Sequence, residues 1–244
     1  MGLDLDGRRL HYHDAGEGPA VVLSHGAIEN VRSWVEIARL LRRRFRVVAY
    51  DARGRGRSSQ APVTYPAMVE DVSLLAQRLN LVPFFHVGHS MGGRVALEHA
   101  LTRPGEVRAV AALSARVEGS DEATRAKLDD LIDEVHRDGP GAAARMWIEP
   151  AHRLYARVRE ISAANSLQGT VAALACARDT AALPLDGLVV PVLTAVGAND
   201  SRYLASARTI GGELHVLEQI GHFPNLEAPE LVAELLADFF DRYA

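Results

Sequence analysis

HVGHSMGGRVAL, residues 86–97, places a single serine, Ser90, between Gly88 and Gly92, directly after an apolar run. Glycines two positions on either side of a residue indicate a backbone turn that is too tight for side chains. The residues after the turn have apolar side chains at helical spacing. The segment therefore predicts a buried strand, a sharp turn that presents Ser90, and a helix.

Composition and charge limit the classes of protein to consider. The 244 residues are 48% hydrophobic and 24% charged, which is typical of one globular α/β domain. The net charge of −4 gives no field that attracts nucleic acid or an anionic membrane, and no apolar signal region or membrane span is visible. We expect a cytoplasmic protein that acts on a small molecule, with no nucleic-acid or membrane partner. Monomer and homodimer both stay open.

Strand and helix patterns alternate along most of the chain. RRLHYHDAG and AVVLSHG are two strand patterns joined by the turn GEGP, which predicts a hairpin. Helix and strand patterns then alternate as far as VRAVAALSA, which is typical of a parallel sheet covered on both faces. Four helical patterns follow without a strand, and the alternation resumes at PVLTAVGAND. We predict an α/β core of residues 1–114 and 183–244, with a helical cap of residues 115–182 inserted after the sixth strand.

The strand, turn and helix around Ser90 match the structural context of a nucleophile elbow. Such a turn lifts the serine hydroxyl above the sheet edge and directs the helix N-terminus at it, where developing negative charge is stabilised. An N-cap serine in a glycine-rich turn is the alternative interpretation.

A serine nucleophile needs a base, and the base needs a group that orients it. Asp200 in TAVGAND and His222 in QIGHFPNLE both follow predicted strands, and the carboxyl ends of parallel strands meet at one edge of the sheet. We therefore predict Ser90, His222 and Asp200 as a catalytic triad. Asp200 as a helix N-cap and His222 as a turn residue are the alternatives. Ser114 and Asp121, near the end of the sixth strand, are other candidates to support the histidine.

Two backbone N–H groups are candidates for an oxyanion hole. One belongs to Met91, which follows the serine, and the other to Ala27 in the loop HGA after the strand AVVLS. The sequence has no Gly-rich phosphate loop and no His/Cys cluster at metal-binding spacing. We expect neither a metal ion nor an organic cofactor.

The motifs as a set resemble the α/β-hydrolase superfamily: HG at 25–26, DARGRGRS at 51–58, GHSMGG at 88–93, GAND at 197–200 and GH at 221–222. The resemblance implies the α/β-hydrolase fold, a mostly parallel twisted sheet of about eight strands flanked by helices, and a Ser-His-Asp enzyme. Epoxide hydrolases and dehalogenases of this superfamily carry aspartate where this chain has Ser90. The resemblance therefore implies cleavage of a carboxylic ester or lactone through an acyl-enzyme.

Two narrower resemblances point to different substrates. QGTVAALACARDTAAL is similar to the 3-oxoadipate enol-lactonase group, which opens small lactones. SMGGRVAL and GANDSRYLASA resemble the menaquinone-pathway synthase that eliminates pyruvate to form a cyclohexadiene carboxylate, and this resemblance implies that Arg94 binds a substrate carboxylate. Arg94 on an exposed helix surface is the alternative. A non-hydrolytic receptor, or a cofactor-free lyase or oxygenase, is a further possibility, because fold does not settle function.

Four apolar residues of the predicted cap are candidates for the substrate pocket: Met146, Trp147, Leu154 and Tyr155. Their spacing is equally typical of side chains that pack the cap itself.

Overall fold

The computed structural model describes residues 1–244 as one eight-stranded sheet with helices on both faces. The strands are β1 (Gly2–Leu5), β2 (Arg8–Ala15), β3 (Ala20–Ser24), β4 (Arg46–Tyr50), β5 (Phe84–His89), β6 (Val107–Leu113), β7 (Val192–Gly197) and β8 (Glu213–Leu217). The α-helices are α1 (Val35–Leu41), α2 (Tyr65–Arg78), α3 (Met91–Thr102), α4 (Glu122–Asp138), α5 (Tyr155–Ala163), α6 (Leu167–Arg178), α7 (Ser201–Ile210), α8 (Pro224–Glu227) and α9 (Pro229–Asp241). Short 3₁₀ helices span Val31–Trp34, Pro104–Glu106 and Pro140–Met146.

The strand order is β1-β2-β4-β3-β5-β6-β7-β8. The strands from β4 to β8 in this order pair in parallel, while β1 and β2 are antiparallel to their neighbours. All residues of β3 and β5 are buried, as expected for parallel strands that are covered on both faces. The predicted fold class is confirmed: a mostly parallel sheet of eight strands flanked by helices.

The predicted hairpin between β2 and β3 is wrong. β4 lies between these two strands and pairs antiparallel with β2. The glycines of GEGP serve another purpose, since a Cβ on Gly16 would lie 2.3 Å from the carbonyl oxygen of Phe45. The hairpin instead joins β1, which the sequence analysis missed, to β2 through Asp6 and Gly7, both with positive φ. Asp-Gly is a strong signal for a tight two-residue hairpin turn.

Apolar side chains fill the space on each face of the sheet. Phe84 and Phe85 are consecutive in β5 and therefore point to opposite faces. Phe85 packs with α1 and α9, where its ring stacks on that of Phe240 with the centroids 4.3 Å apart. Phe84 packs with α2 on the other face. The sheet is thus held rigidly between two apolar layers, which fixes the positions of the loops at its carboxyl edge.

The segment between β6 and β7 forms a layer of helices over that edge. The layer comprises α4, the 3₁₀ helix Pro140–Met146, α5 and α6, and its apolar side chains pack against Phe223 of a sheet-edge loop. Hydrogen bonds join this helical layer to the loop after β3. The Asn30 side chain donates to the carbonyl of Ile161 at 2.7 Å, and the Asn165 side chain donates to the carbonyl of Ile28 at 3.1 Å. No α-helix combines the length and the apolar character needed to cross a membrane.

Candidate active site

Ser90 occupies a strained turn between β5 and α3. Its backbone has φ 52° and ψ −116°, and its side chain makes no capping hydrogen bond to α3. Ser90 therefore occupies the N-cap position of α3 without capping the helix through its side chain. The neighbouring glycines are required by close backbone approach, since a Cβ on Gly88 would lie 2.0 Å from the carbonyl oxygen of Gly92, and a Cβ on Gly92 would lie 2.1 Å from that of Ser24.

The structure brings Ser90, His222 and Asp200 together at the carboxyl edge of the sheet. His222 Nε2 lies 3.2 Å from Ser90 Oγ, and His222 Nδ1 lies 2.8 Å from Asp200 Oδ2. An ionised carboxylate only accepts hydrogen bonds, so Nδ1 carries the hydrogen and Nε2 presents its lone pair to the serine hydroxyl. Asp200 stands at the N-cap position of α7, but its side chain makes no capping bond to that helix and contacts His222 instead.

The other candidate supports for the histidine lie elsewhere. Asp121 is the N-cap of α4, and its carboxylate accepts a hydrogen bond from the backbone N–H of Thr124 at 2.8 Å. Ser114 is fully buried at the end of β6, where its hydroxyl has no hydrogen-bond partner. Neither side chain is hydrogen-bonded to His222.

Burial and aromatic rings set the environment of His222. Burial, as the largest cause, lowers the pKa of His222 below 6.5, against the opposing hydrogen bond and charge of Asp200. The ring of Tyr203 lies with its centroid 4.3 Å from that of His222, and the Trp147 ring stacks at 5.9 Å. Trp147 Nε1 also donates a hydrogen bond of 3.3 Å to the Tyr203 hydroxyl. The histidine is therefore neutral and shielded from solvent near neutral pH.

Two backbone N–H groups beside Ser90 are unpaired within the protein. Met91 is the first residue of α3, so its N–H has no partner in the helix, and neither it nor the N–H of Ala27 donates to another protein atom. Both residues line the same cavity as Ser90. The N–H of Gly26, by contrast, donates to the carboxylate of Glu29 at 2.6 Å.

A cavity beside Ser90 lies between the sheet edge and the helical layer. Of the residues predicted to bind substrate, Arg94, Met146 and Trp147 line it. Leu154 and Tyr155 are not in its wall, because they stand at the start of α5 and pack into the apolar interior of the helical layer.

Arg94 is a buried residue of the cavity wall, so its placement on an exposed helix surface is wrong. Its guanidinium lies 4.7 Å from the centroid of the Tyr65 ring, and Nη1 donates to the carbonyl of Val117 at 3.4 Å. Nε makes no hydrogen bond and lies 3.9 Å from the carboxylate of Glu98. Tyr65, Arg116 and other polar members of this wall were not predicted from the sequence. They follow no motif and reach the cavity from elements that are distant along the chain.

Comparison with known proteins decides the family. A sequence model of the alpha/beta hydrolase family matches residues 21–235. The chain belongs to this family. Among curated proteins, the hydrolase chain is 38% identical over 113 residues to bifunctional epoxide hydrolase 2 of Sus scrofa, covering 44% of this chain and 20% of that protein. It is 37% identical over 105 residues to fluoroacetate dehalogenase of a Burkholderia species, covering 40% and 34%. The matched segments thus span between a fifth and about a third of the length of these two relatives.

Solved structures resemble this alpha/beta hydrolase over nearly its whole length. A carboxylesterase of Nitrososphaera gargenis has a TM-score of 0.88 at 24% identity, covering 100% of this chain and 98% of that one. The enol-lactonase of Burkholderia xenovorans LB400 has a TM-score of 0.87 at 23% identity, covering 99% and 100%. These two similarities show the fold. The esterase EaEST of Exiguobacterium antarcticum has a TM-score of 0.86 at 25% identity, covering 97% of each chain.

Proposed function

We propose that this protein is a serine hydrolase that cleaves a carboxylic ester or lactone of a small molecule through an acyl-enzyme on Ser90. The observation that carries the proposal is the chain of contacts from Ser90 Oγ to His222 Nε2 at 3.2 Å and from His222 Nδ1 to Asp200 at 2.8 Å. A neutral, oriented imidazole against a serine hydroxyl is the arrangement that activates a serine for attack on a carbonyl carbon.

The reaction follows from this geometry. Ser90 Oγ attacks the carbonyl carbon while its proton moves to Nε2 of His222, and the imidazolium is stabilised by Asp200. The oxyanion that forms accepts hydrogen bonds from the free N–H groups of Ala27 and Met91. The tetrahedral intermediate then expels the alcohol oxygen, which takes the proton from His222. Water, deprotonated by the same histidine, attacks the acyl-enzyme and releases the acid and Ser90.

The identity of the nucleophile separates this proposal from the activities named for two relatives. The superfamily resemblance implies that epoxide hydrolases and dehalogenases use aspartate at this position, and this chain has Ser90. A neutral hydroxyl that needs a base suits attack on an acyl carbon. The carboxylesterase and enol-lactonase structures of the same fold are consistent with this chemistry.

We also propose that residues 115–182 act as a cap that selects the substrate. Met146 and Trp147 contribute apolar wall to the cavity, and Thr124 and Thr180 contribute polar wall. A cavity whose wall combines apolar side chains with polar groups suits a small molecule.

A substrate panel tests the proposed function. The full chain is assayed with p-nitrophenyl esters from acetyl to dodecanoyl and with small lactones. Turnover of the short members is expected, and the profile of rate against acyl length measures the depth of the cavity. A folded protein that hydrolyses none of these compounds would contradict the proposal.

The pH dependence of hydrolysis should report the protonation of His222. The histidine acts as a base only when neutral, and its pKa lies below 6.5 because of burial. Activity is therefore expected to persist as the pH falls to about 6.5 and to be lost as it falls further, through the lowered pKa of the histidine. The measurement is kcat/KM for an activated ester across the acid range. An acid limb with its midpoint above the ordinary histidine pKa would contradict this environment.

A second candidate function is cleavage of a carbon–carbon bond in a substrate that carries a carboxylate. The observation that favours it is Arg94, a buried residue of the cavity wall beside Ser90 whose Nε makes no hydrogen bond and has the Glu98 carboxylate 3.9 Å away. A buried donor without a partner is costly, and a substrate carboxylate would satisfy it.

Replacing Arg94 with methionine tests whether the cavity binds a carboxylate. We expect kcat/KM for p-nitrophenyl hemisuccinate to fall about 10- to 100-fold, because a hydrogen bond to a charged group is lost. The value for the neutral p-nitrophenyl butyrate should change little. Arg78→Met serves as the control, since Arg78 is exposed and pairs with Asp6 away from the cavity wall. Equal losses on both esters would argue against carboxylate binding.

A further inference from the structure

Glu29 is a buried carboxylate that the reaction above does not use. It lies in the loop after β3 with 1% of its surface exposed. Its Oε2 accepts hydrogen bonds of 2.6 Å from the backbone N–H of Gly26 and from Nδ1 of His89, and its Oε1 accepts one of 3.1 Å from the side chain of Asn225. A carboxylate with three N–H donors is strongly favoured in its ionised form.

His89 connects this carboxylate to the candidate base. It is equally buried, directly before Ser90, and its Nε2 lies 2.6 Å from the carbonyl oxygen of His222. A backbone carbonyl only accepts hydrogen bonds, so Nε2 must carry a hydrogen. The ionised Glu29 also only accepts, so Nδ1 must carry a hydrogen as well. Both ring nitrogens are donors only in the imidazolium form.

We propose that Glu29 and His89 form a buried carboxylate–imidazolium pair that positions both the oxyanion loop and His222. This inference rests on the proposed function, since it assigns positioning residues to the same reaction. The pair lies beside that of Asp200 and His222, and the two imidazole rings are tilted by 55° with their centroids 5.0 Å apart. Neither Glu29 nor His89 touches the reacting atoms in the mechanism. Glu29 acts through its hydrogen bond with the Gly26 N–H, and His89 acts through its hydrogen bond with the His222 carbonyl.

The pair joins three loops that are far apart in sequence. Glu29 holds the N–H of Gly26, which leaves the next N–H, that of Ala27, free to face the cavity. His89, which directly precedes Ser90 in the turn, donates a hydrogen bond to the backbone carbonyl of His222. The packing is tight, because a Cβ on Gly26 would lie 2.6 Å from Glu29 Oε2. A shift of the pair would therefore move oxyanion donor, nucleophile turn and base together.

The electrostatic balance of the pair agrees with the ionised form. Burial favours neutral Glu29, but the charge and hydrogen bond of His89 with the hydrogen bond of Asn225 lower its pKa to about 2. Burial likewise disfavours the imidazolium of His89, but the charge and hydrogen bond of Glu29 raise the pKa of His89 above its ordinary value. The other ionisable groups that interact with the charges of the pair are His25, Arg55, His222 and Asp200. The positive charge of His89 in turn lowers the pKa of His222.

The charge of His89 can be measured without any substrate. The full chain is labelled with ¹⁵N-histidine, and the ring nitrogens of His89 are assigned by the signals that disappear in His89→Gln. We expect both nitrogens to carry hydrogen at neutral pH and above the ordinary histidine pKa of about 6.5. A neutral ring with one protonated nitrogen at neutral pH would overturn the proposed pair.

The positioning role is tested by the reaction of Ser90 with a fluorophosphonate probe. Glu29→Gln is expected to lower the second-order rate of labelling about 10- to 100-fold, because displaced groups lose reactivity steeply. Glu106→Gln is the matched control. Glu106 pairs with the buried His99 at 3.0 Å, outside the wall of the cavity. This control should lower the melting temperature without changing the labelling rate.

A pH profile separates positioning from a purely structural role. His89→Gln removes the positive charge and keeps Glu29, so the pKa of His222 should rise. The acid limb of labelling should then move to higher pH, whereas general loosening of the fold would lower the rate without moving the limb.

The outcomes distinguish the two proposals. If the wild type is not labelled at all, the proposed function fails, and the ¹⁵N spectrum still decides whether the pair exists. A folded Glu29→Gln protein labelled at the wild-type rate, or an acid limb that stays in place in His89→Gln, would overturn the positioning role. If Glu29→Gln does not fold, the spectrum and His89→Gln decide.

Discussion

Ser90→Ala is expected to lower kcat for an activated ester about 10⁶-fold, the size of effect found when a triad serine is removed from an unrelated protease. The oxygen of this hydroxyl forms the bond with the acyl group, and it is the side-chain atom hydrogen-bonded to Nε2 of His222. Stability should change little. The hydroxyl makes no capping bond to α3. The strain of the positive φ at this position is about the same for alanine as for serine.

The measurement is single-turnover hydrolysis with excess enzyme, together with thermal melting. Ser162→Ala is the control, because Ser162 is a buried serine in α5 whose hydroxyl donates to the carbonyl of Pro140 outside the cavity wall. That variant should lose stability by about 1 kcal/mol and keep kcat. Ser90→Ala protein that retains more than about a hundredth of wild-type activity would contradict the acyl-enzyme on Ser90.

Asp200→Asn is expected to lower kcat about 10⁴-fold with nearly unchanged stability. The asparagine amide can donate to His222 Nδ1, which would place the hydrogen on Nε2 and turn the wrong tautomer toward Ser90. The lone pair that takes the serine proton would then be absent. The present 2.8 Å contact between Asp200 and Nδ1 excludes that tautomer.

Asp121→Asn is the matched control for this substitution. Asp121 was the other acidic candidate, and it caps α4 through the N–H of Thr124. Asparagine is as good an N-cap as aspartate, so neither stability nor kcat should change. A large loss of kcat in Asp121→Asn, with activity kept in Asp200→Asn, would reverse the assignment of the acid.

Local patterns were sufficient for the fold class and for the candidate triad. Buried strands and amphipathic helices differ in hydrophobic period, and the turn at Ser90 requires glycines that the sequence displays. Asp200 and His222 could be selected because each directly follows a strand of a parallel sheet, whose carboxyl ends share one edge. The pairing of β2 could not be predicted, because a strand's partner depends on contacts that lie far along the chain.

The residues of the cavity wall were also predicted only in part. Met146 and Trp147 line the cavity, whereas Leu154 and Tyr155, with the same apolar character a few residues later, pack into the helical layer. Helical spacing predicts which residues form the apolar face of a helix, but it does not predict what that face packs against.

By itself, the sequence determined an α/β fold with a helical insertion after the sixth strand and a serine in a strained turn, since both depend on the spacing of neighbouring residues. Only the tertiary structure decided that Arg94 is buried beside Ser90, and that Glu29 and His89 meet beneath His222. These contacts join loops separated by 60 and 133 positions along the chain. The packed sheet brings these loops together. A local sequence pattern cannot predict contacts between residues that are so far apart along the chain.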